Sequence, residues 1–274
     1  NGCFWPYRLH EHYGVELYRH KLMDIEKEVR LYRGLPWVEV KVRLRSRFPH
    51  IRLRWCFDLG FKGRYVASTA FGVVERRPEP REHPMEDWMD YSDGERGLAL
   101  FTRGIPGHQV EEGRVYLTLL RSVDLLSYGD KGPIVPVPDA LELDRDYEFE
   151  FAFMLHRGDW REAKVWTYAL SYTSPPIAMQ FDERRARGEL PGDEYSFLSL
   201  DDTAILTCLK RSEDGRHVVA RLYDVTGRGG EVELKVFRQP REVLASNITE
   251  EREDPGSTRL KLRPFQIATL KLAF

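Results

Sequence analysis

Arg121 is the residue whose position most needs a chemical explanation. It closes a run in which Val115, Leu117 and Leu119 alternate with Tyr116, Thr118 and Leu120. That alternation is the period of two of a β-strand. A guanidinium at the end of so apolar a strand requires a carboxylate, a backbone carbonyl or a ligand to offset its desolvation. Arg121 therefore answers either to the fold or to a bound molecule. Other residue types with chemical potential are scattered. His10 and His12 share one strand face, the spacing of some two-histidine metal sites, and His20 follows, yet no third ligand is marked nearby. Ordinary surface or core histidines are the simpler reading. Asp87, Asp90 and Asp93 recur every third residue but lack the rest of a calcium-loop pattern. Carboxylates are numerous enough for a glycosidase-type acid and nucleophile, although no pair stands out. The chain carries no Walker loop, GxSxG elbow, HExxH helix or dinucleotide fingerprint.

The elements that must position these residues are strands. Trp88 to Asp124 reads as three strands folded back on one another, broken at Gly104-Pro106-Gly107 and turned at Gly113. Upstream, Val29–Tyr32, Trp37–Arg45 and Ile51–Phe57 alternate, and a short strand spans Ala67 to Val74. The Lys and Arg residues of these strands could form a nucleic-acid face. A solvated sheet surface with long stems over apolar area explains them as well. A polar, Pro-rich loop is predicted over residues 75–84. Tyr147 to Leu155 is a long alternating strand ending at His156-Arg157-Gly158-Asp159-Trp160, and Glu162 to Leu170 is the one helix-like stretch. Residues 174–194, with Pro175-Pro176 and a charged run, read as a linker. Beyond it, short strands with turns such as Glu213-Asp214-Gly215 form a small sandwich. The fold class is thus all-β, with one domain over residues 1–192 and a smaller one over 193–274.

Composition narrows the class further. A net charge of −2 with interleaved signs does not suit a polyanion binder. The 13 Tyr, 14 Phe and 6 Trp suit sheets, or a surface that stacks on sugars. Three distant cysteines, Cys3, Cys56 and Cys208, form neither a disulfide framework nor a thiolate metal site. They point to a reducing, cytoplasmic compartment. No apolar run approaches the ~18 residues of a membrane span. No signal peptide is evident, and Asn1-Gly2 reads as a start inside a longer protein.

Several stretches, in order, resemble the β-domain of glycoside hydrolase family 38, the zinc-dependent α-mannosidases. Ala70–Arg76 looks like the family's FGxxxR segment. Asp90–Asp93 with Gly97–Leu100 is similar to DxSDxxxGLAL, and Thr118–Ser122 to LTLLRS. Phe149–Trp160 resembles FxxxLxPHxGDW, with Leu155 where that pattern has Pro. Lys210–Asp224 resembles KxxEDGxxxxxRLYE. Asn247–Glu251 and Pro264–Leu270 resemble the NLLEE and PFEIxTL endings. The spacing over residues 98–138 is most similar to the bacterial and archaeal branch that includes mannosylglycerate hydrolases.

The resemblance implies a large galactose-mutarotase-like β-supersandwich followed by a smaller sandwich. It implies that the catalytic Asp and the zinc, or another divalent metal, belong to an N-terminal β/α barrel outside this chain. This chain would then hold no catalytic residue, metal ligand or cofactor of its own. Its partners would be that barrel and a mannose-containing glycan or mannoside, with no nucleic acid and no membrane; a homo-oligomer is compatible. Arg121 becomes a substrate- or barrel-facing residue, and His156, Asp93 and Asp130 become polar contacts at the same rim. A stand-alone carbohydrate-binding module is the alternative, with Trp88 and Trp160 stacking on sugar rings. Asn247-Ile248-Thr249 fits a glycosylation sequon inside the matched NLLEE stretch and is discounted there.

Overall fold

The computed structural model describes residues 23–111, 113–125, 133, 135–180 and 194–274. These residues group into two compact units. Asn1–Ala67 with Glu75–Thr173 form the first; Ser68–Val74 with Ser174–Phe274 form the second. Among the described residues, no helix is long and apolar enough to cross a membrane.

The described chain begins with β1 (Met23–Leu31), β2 (Val38–Ser46), β3 (Ile51–Asp58), β4 (Arg64–Thr69), β5 (Gly72–Arg76) and β6 (Glu79–Pro84), of which the end of β4 and the start of β5 fall in the second unit. It continues with β7 (Trp88–Ser92), β8 (Arg96–Arg103), β9 (Gly107–Glu111), β10 (Arg114–Ser122) and β11 (Asp146–Arg157), then helix α1 (Val165–Thr173). One sheet runs β1-β2-β11-β8-β7-β4-β5 and a second runs β3-β10-β9-β6. Their inner faces meet in one apolar core. Val40, Val42, Leu100 and Phe151 of the larger sheet join Leu53, Val110, Val115 and Leu117 of the smaller one. The alternation in each strand is what sends one set inward and leaves the other polar.

On the outer side of the larger sheet the basic residues are matched by acids. Arg43 reaches Glu26 at 3.1 Å and Glu148 at 3.0 Å, and Lys41 reaches Glu150 at 3.1 Å. Cross-strand ion pairs, rather than a polyanion, account for these alternating Lys and Arg residues.

Three local expectations need correction. Trp88 to Asp124 contains four strands, not three, and they are divided between sheets. β8 pairs with β7 and β11, whereas β9 pairs with β6 and β10. The break at Gly104-Pro106-Gly107 is therefore a crossing from sheet to sheet, not a hairpin. Residues 67–74, expected as one strand, are the end of β4, a turn at Ala70–Phe71 with Phe71 at φ 56°, and the start of β5. Residues 79–84, expected as loop, form edge strand β6, whose pairing with β9 shifts between Glu79 and His83. Pro80 is tolerated there because an edge strand does not need every N–H.

The second unit contains β12 (Leu198–Leu200), β13 (Ala204–Arg211), β14 (Val218–Asp224), β15 (Gly230–Val236), β16 (Glu242–Ser246), β17 (Glu253–Pro255), β18 (Arg259–Leu262) and β19 (Ile267–Ala273). They form the sheets β12-β15-β18 and β13-β14-β19-β16-β17. Ala220, Leu222, Leu234, Leu270 and Leu272 make the core between them. Among the described residues the fold is all-β apart from α1 and one 3-10 turn, in agreement with the sandwich architecture expected from sequence.

Candidate functional site

The pairing of β10 with β3 decides where Arg121 points. Arg114 lies opposite Asp58, Tyr116 opposite Cys56 and Thr118 opposite Arg54. The register then shifts, so that Leu120 lies opposite Leu53 and Arg121 opposite Arg52. Leu119 is the extra residue of a β-bulge, and Leu119 and Leu120 are both buried. A one-residue insertion exchanges the faces of everything beyond it. By parity alone Arg121 would share the inward face of Val115, Leu117 and Leu119. The bulge turns it outward, where its side chain is 59% exposed. The desolvated guanidinium expected from sequence is therefore a solvated one.

Around Arg121 the outer face of the smaller sheet is rich in arginine. Arg52 donates to Gln109 Oε1 at 2.8 Å and to Glu82 Oε2 at 3.3 Å. Arg54 donates to the same Gln109 oxygen at 3.1 Å and lies 4.1 Å from the centre of the Tyr116 ring. Among the described residues, Arg121 has Glu82 as its ion-pair neighbour, at 3.9 Å. Burial, and then the positive charge of Arg54, hold Arg52 below the ordinary arginine range. Gln109 is itself buried, so this cluster is fixed from below by a rigid amide.

His156 and Asp93 lie elsewhere, on the larger sheet. His156 Nε2 meets Asp90 Oδ2 at 2.5 Å, with the His side chain 6% and the Asp side chain 1% exposed. The ring's Nδ1 donates to the Arg157 carbonyl at 3.3 Å. The ring fits because position 97 on the neighbouring strand is glycine; a Cβ there would collide with the imidazole. Burial opposes charge on His156, but the Asp90 carboxylate outweighs it and raises the imidazole above its ordinary range. Burial likewise raises Asp90, against the lowering effect of His156. The pair thus binds its shared proton more tightly than the separated groups would. Sequence reasoning placed Asp90 in an acidic triad and in the DxSDxxxGLAL stretch without giving it a role. Its signal was a carboxylate inside the apolar run Trp88-Met89-Asp90-Tyr91, all four of which are buried.

Asp93 accepts from the N–H groups of Glu95 and Arg96, both at 3.0 Å, and so closes the β7–β8 turn. These backbone bonds, Arg96 N–H first, lower its pKa. Asp159 has a similar task before α1. Its Oδ1 accepts from the N–H of Arg161 and of Glu162, while Glu162 Oε2 accepts from Asp159 N–H. This reciprocal arrangement satisfies free donors at a helix start. Asp90, Asp93 and Asp159 line a shallow depression of about 420 Å³ together with Lys62, Arg64 and Glu75. Trp88 and Trp160 are not loop platforms: both are buried, with ring centres 5.5 Å apart.

The structure therefore brings His156 and Asp93 into one neighbourhood and sets Arg121 on the other sheet. Asp130, His10, His12 and His20 lie outside the described residues. Among the described residues, no group of three or more His, Cys, Asp or Glu is placed to hold a metal ion. The zinc implied by the resemblance does not fit the residues described, and no chemical step is derived through it.

Comparison with known proteins gives this geometry a context. The family model "Glycosyl hydrolases family 38 C-terminal domain" matches residues 12–125, and "Glycosyl hydrolases family 38 C-terminal beta sandwich domain" matches 203–270. The "Putative mannosylglycerate hydrolase" of Halalkalibacterium halodurans is 27% identical over 91% of this chain and 28% of its own length. "Alpha-mannosidase 2C1" of Mus musculus is 29% identical over 68% of this chain and 17% of its own length. A crystal structure of an alpha-mannosidase from Enterococcus faecalis V583 superposes with a TM-score of 0.77 at 21% identity, over 90% of this chain and 28% of that one. A second Enterococcus faecalis structure, of a protein in glycosyl hydrolase family 38, gives 0.78 at 22% identity, over 90% and 29%. The chain spans less than a third of the length of each of these relatives. Both family models describe successive parts of one C-terminal region and together cover most of this sequence. The chain belongs to the C-terminal region of the family 38 glycosyl hydrolases.

Proposed function

We propose that this chain is the non-catalytic C-terminal portion of a retaining, metal-dependent α-mannosidase. The acid, the nucleophile and the zinc or other divalent metal would belong to a catalytic domain outside it. That domain would cleave an α-mannoside by double displacement, and this portion would pack on it and complete one wall of its sugar site. Residues 1–192 form the packing domain in this reading and 193–274 the small sandwich that follows it in sequence. Support comes from the family match over a chain that spans 28% of the relative from Halalkalibacterium halodurans.

One structural observation carries the reading to a residue. The bulge at Leu119 lifts Arg121 out of the core and holds it outward, with its one ion-pair partner among the described residues at 3.9 Å. A guanidinium so placed can donate to a sugar hydroxyl or to the catalytic domain without first breaking a tight pair. The stand-alone sugar-binding alternative loses its named platforms, since Trp88 and Trp160 pack on each other in the interior.

Arg121→Ala in the full-length protein tests this. Loss of a charge-assisted contact in the transition state lowers kcat/KM on an aryl α-mannoside about ten-fold or more. The exposure of Arg121 predicts an unchanged melting temperature. Full activity in the variant, or activity lost in step with stability, would contradict the assignment.

A further inference from the structure

Edge strand β6 faces two ways. His83 lies opposite His108 of β9 and shares its inward face. Glu82, one residue earlier, turns outward to Arg52 at 3.3 Å and Arg121 at 3.9 Å. The strand is held loosely. It is matched to β9 at Glu79, His83 and Pro84, with a register shift between the first two. Pro80 and Pro84 bring no N–H to the ladder. An edge with so few backbone bonds opens at a lower free energy than the interior of a sheet.

His108 is what β6 covers. Its side chain is wholly buried, between Leu117 of β10 and His83 of β6. Neither ring nitrogen has a hydrogen-bond partner among the described residues. The Tyr65 ring of β4 stands edge-on at 5.6 Å, and its hydroxyl is buried and likewise without a partner. The His83 ring centre lies 6.4 Å away, with His83 Nε2 held to Glu79 at 2.6 Å. Arg76 of β5 donates to the Pro84 carbonyl of β6 at 3.3 Å. Burial, and then the charges of Arg76 and His83, lower the His108 pKa to about 3. The Pro106 carbonyl, which already accepts from the Met85 N–H at 2.9 Å, acts the other way and is outweighed. A charge on this ring is accommodated by water, and water reaches it when β6 leaves.

We propose that β6 is an acid-released strap: a proton taken up by His108 opens β6 from β9, and the opening withdraws Glu82 from Arg52 and Arg121. The two faces of one strand thereby couple acidity to the freedom of Arg121. The consequence for a sugar site rests on the α-mannosidase reading above; the strap itself does not. The closed strand binds fewer protons at His108 than the open one. Its stability is therefore complete above the ordinary histidine pKa of about 6.5 and falls with acid down to the lowered value of about 3. Within that window the open fraction rises up to about ten-fold for each pH unit.

Native-state hydrogen exchange of the full-length protein, corrected for the intrinsic rate at each pH, reads this directly. The reporter is the Met85 N–H, which follows β6, is buried and is bonded to the Pro106 carbonyl. Its protection is expected to fall about ten-fold per unit between pH 6 and pH 4, while β2 and β11 keep theirs. In His108→Phe the protection of Met85 no longer follows pH; His108→Gln serves the same purpose if the phenyl ring unfolds the sheet. Glu82→Gln lowers protection by about two- to five-fold at every pH and leaves the slope alone, because losing exposed ion pairs changes the closed state without changing the proton count. A flat profile in the wild-type protein, a slope that survives both His108 variants, or loss shared by β2 and β11 overturns the strap. Wild-type protection in Glu82→Gln overturns its coupling to Arg121. None of these readouts involves hydrolysis, so their failure leaves the α-mannosidase reading untouched.

Discussion

Asp90→Ala is expected to cost the first unit about 3–5 kcal/mol of stability, the usual consequence of removing one partner of a buried ion pair. The variant leaves the His156 ring enclosed beside Gly97 with its Nε2 unpaired, and opens a void beneath β7. The sign of the pH dependence follows from the raised pKa of both partners. The folded state holds a proton that the unfolded chain releases, so the contribution of the pair is fully present below the ordinary histidine pKa of about 6.5. It is lost as pH rises through the folded pKa of His156. His108 acts in the opposite direction: burial, and then the charge of Arg76, lower it to about 3, so its contribution is present at neutral pH and lost on acidification. Comparing wild type with Asp90→Ala at each pH cancels that term. Tryptophan fluorescence suits the measurement, because the described tryptophans all lie in the first unit. A stability difference below about 1 kcal/mol, or one that grows between pH 6 and pH 9, would show that the pair does not carry this load.

The second large effect concerns Asp224, at the end of β14. Its buried carboxylate accepts four hydrogen bonds: Thr226 N–H at 3.1 Å, Thr226 O–H at 2.7 Å, Gly229 N–H at 3.0 Å and Phe265 N–H at 3.0 Å. One side chain thus ties the loop after β14 to the turn before β19. Phe265 on the turn sits in the left-handed region at φ 57°, a costly conformation for a residue with a Cβ. It persists there because its N–H is satisfied by Asp224. Asp224→Ala leaves several donors without an acceptor, at about 1–3 kcal/mol for each that stays buried. The expected total is about 3–5 kcal/mol, confined to the second unit. Asn is no remedy, since its amide NH₂ would face the N–H of Gly229 and Phe265. Hydrogen exchange should therefore show β14 and β19 losing protection in both variants while the first unit keeps its protection. Protection indistinguishable from wild type would remove Asp224 from this role.

The sequence reveals strands more readily than their connections. Alternation locates β2, β3, β10 and β11 because each buries one face, and burial is what imposes a period of two, whereas β8 is buried throughout and reads as a continuous apolar run. It does not reveal β17, three wholly exposed residues, or β6, a proline-containing edge strand with a displaced register. Which strands pair depends on contacts far apart in the chain, so the crossing between sheets at Gly104–Gly107 has no local signature. Arg121 shows the same limit at a functional position. Its residue type and strand are legible, but its face depends on a bulge visible only in the pairing with β3. Asp90 and His156 are 66 residues apart, and only β8, lying between β7 and β11, places them together. The cluster of Arg52, Arg54 and Arg121 is likewise a product of register, since nothing in the order of residues sets those three apart from the other basic residues.

The central claim is that the chemistry resides outside this chain and that this chain completes the site. The most direct measurement compares hydrolysis of an aryl α-mannoside by the chain alone with hydrolysis by the full-length protein, with zinc or cobalt supplied to both. The expected result is turnover by the full-length protein and only background release by the chain. Turnover by the chain alone at enzyme-like rates, abolished by Arg121→Ala, would contradict the account.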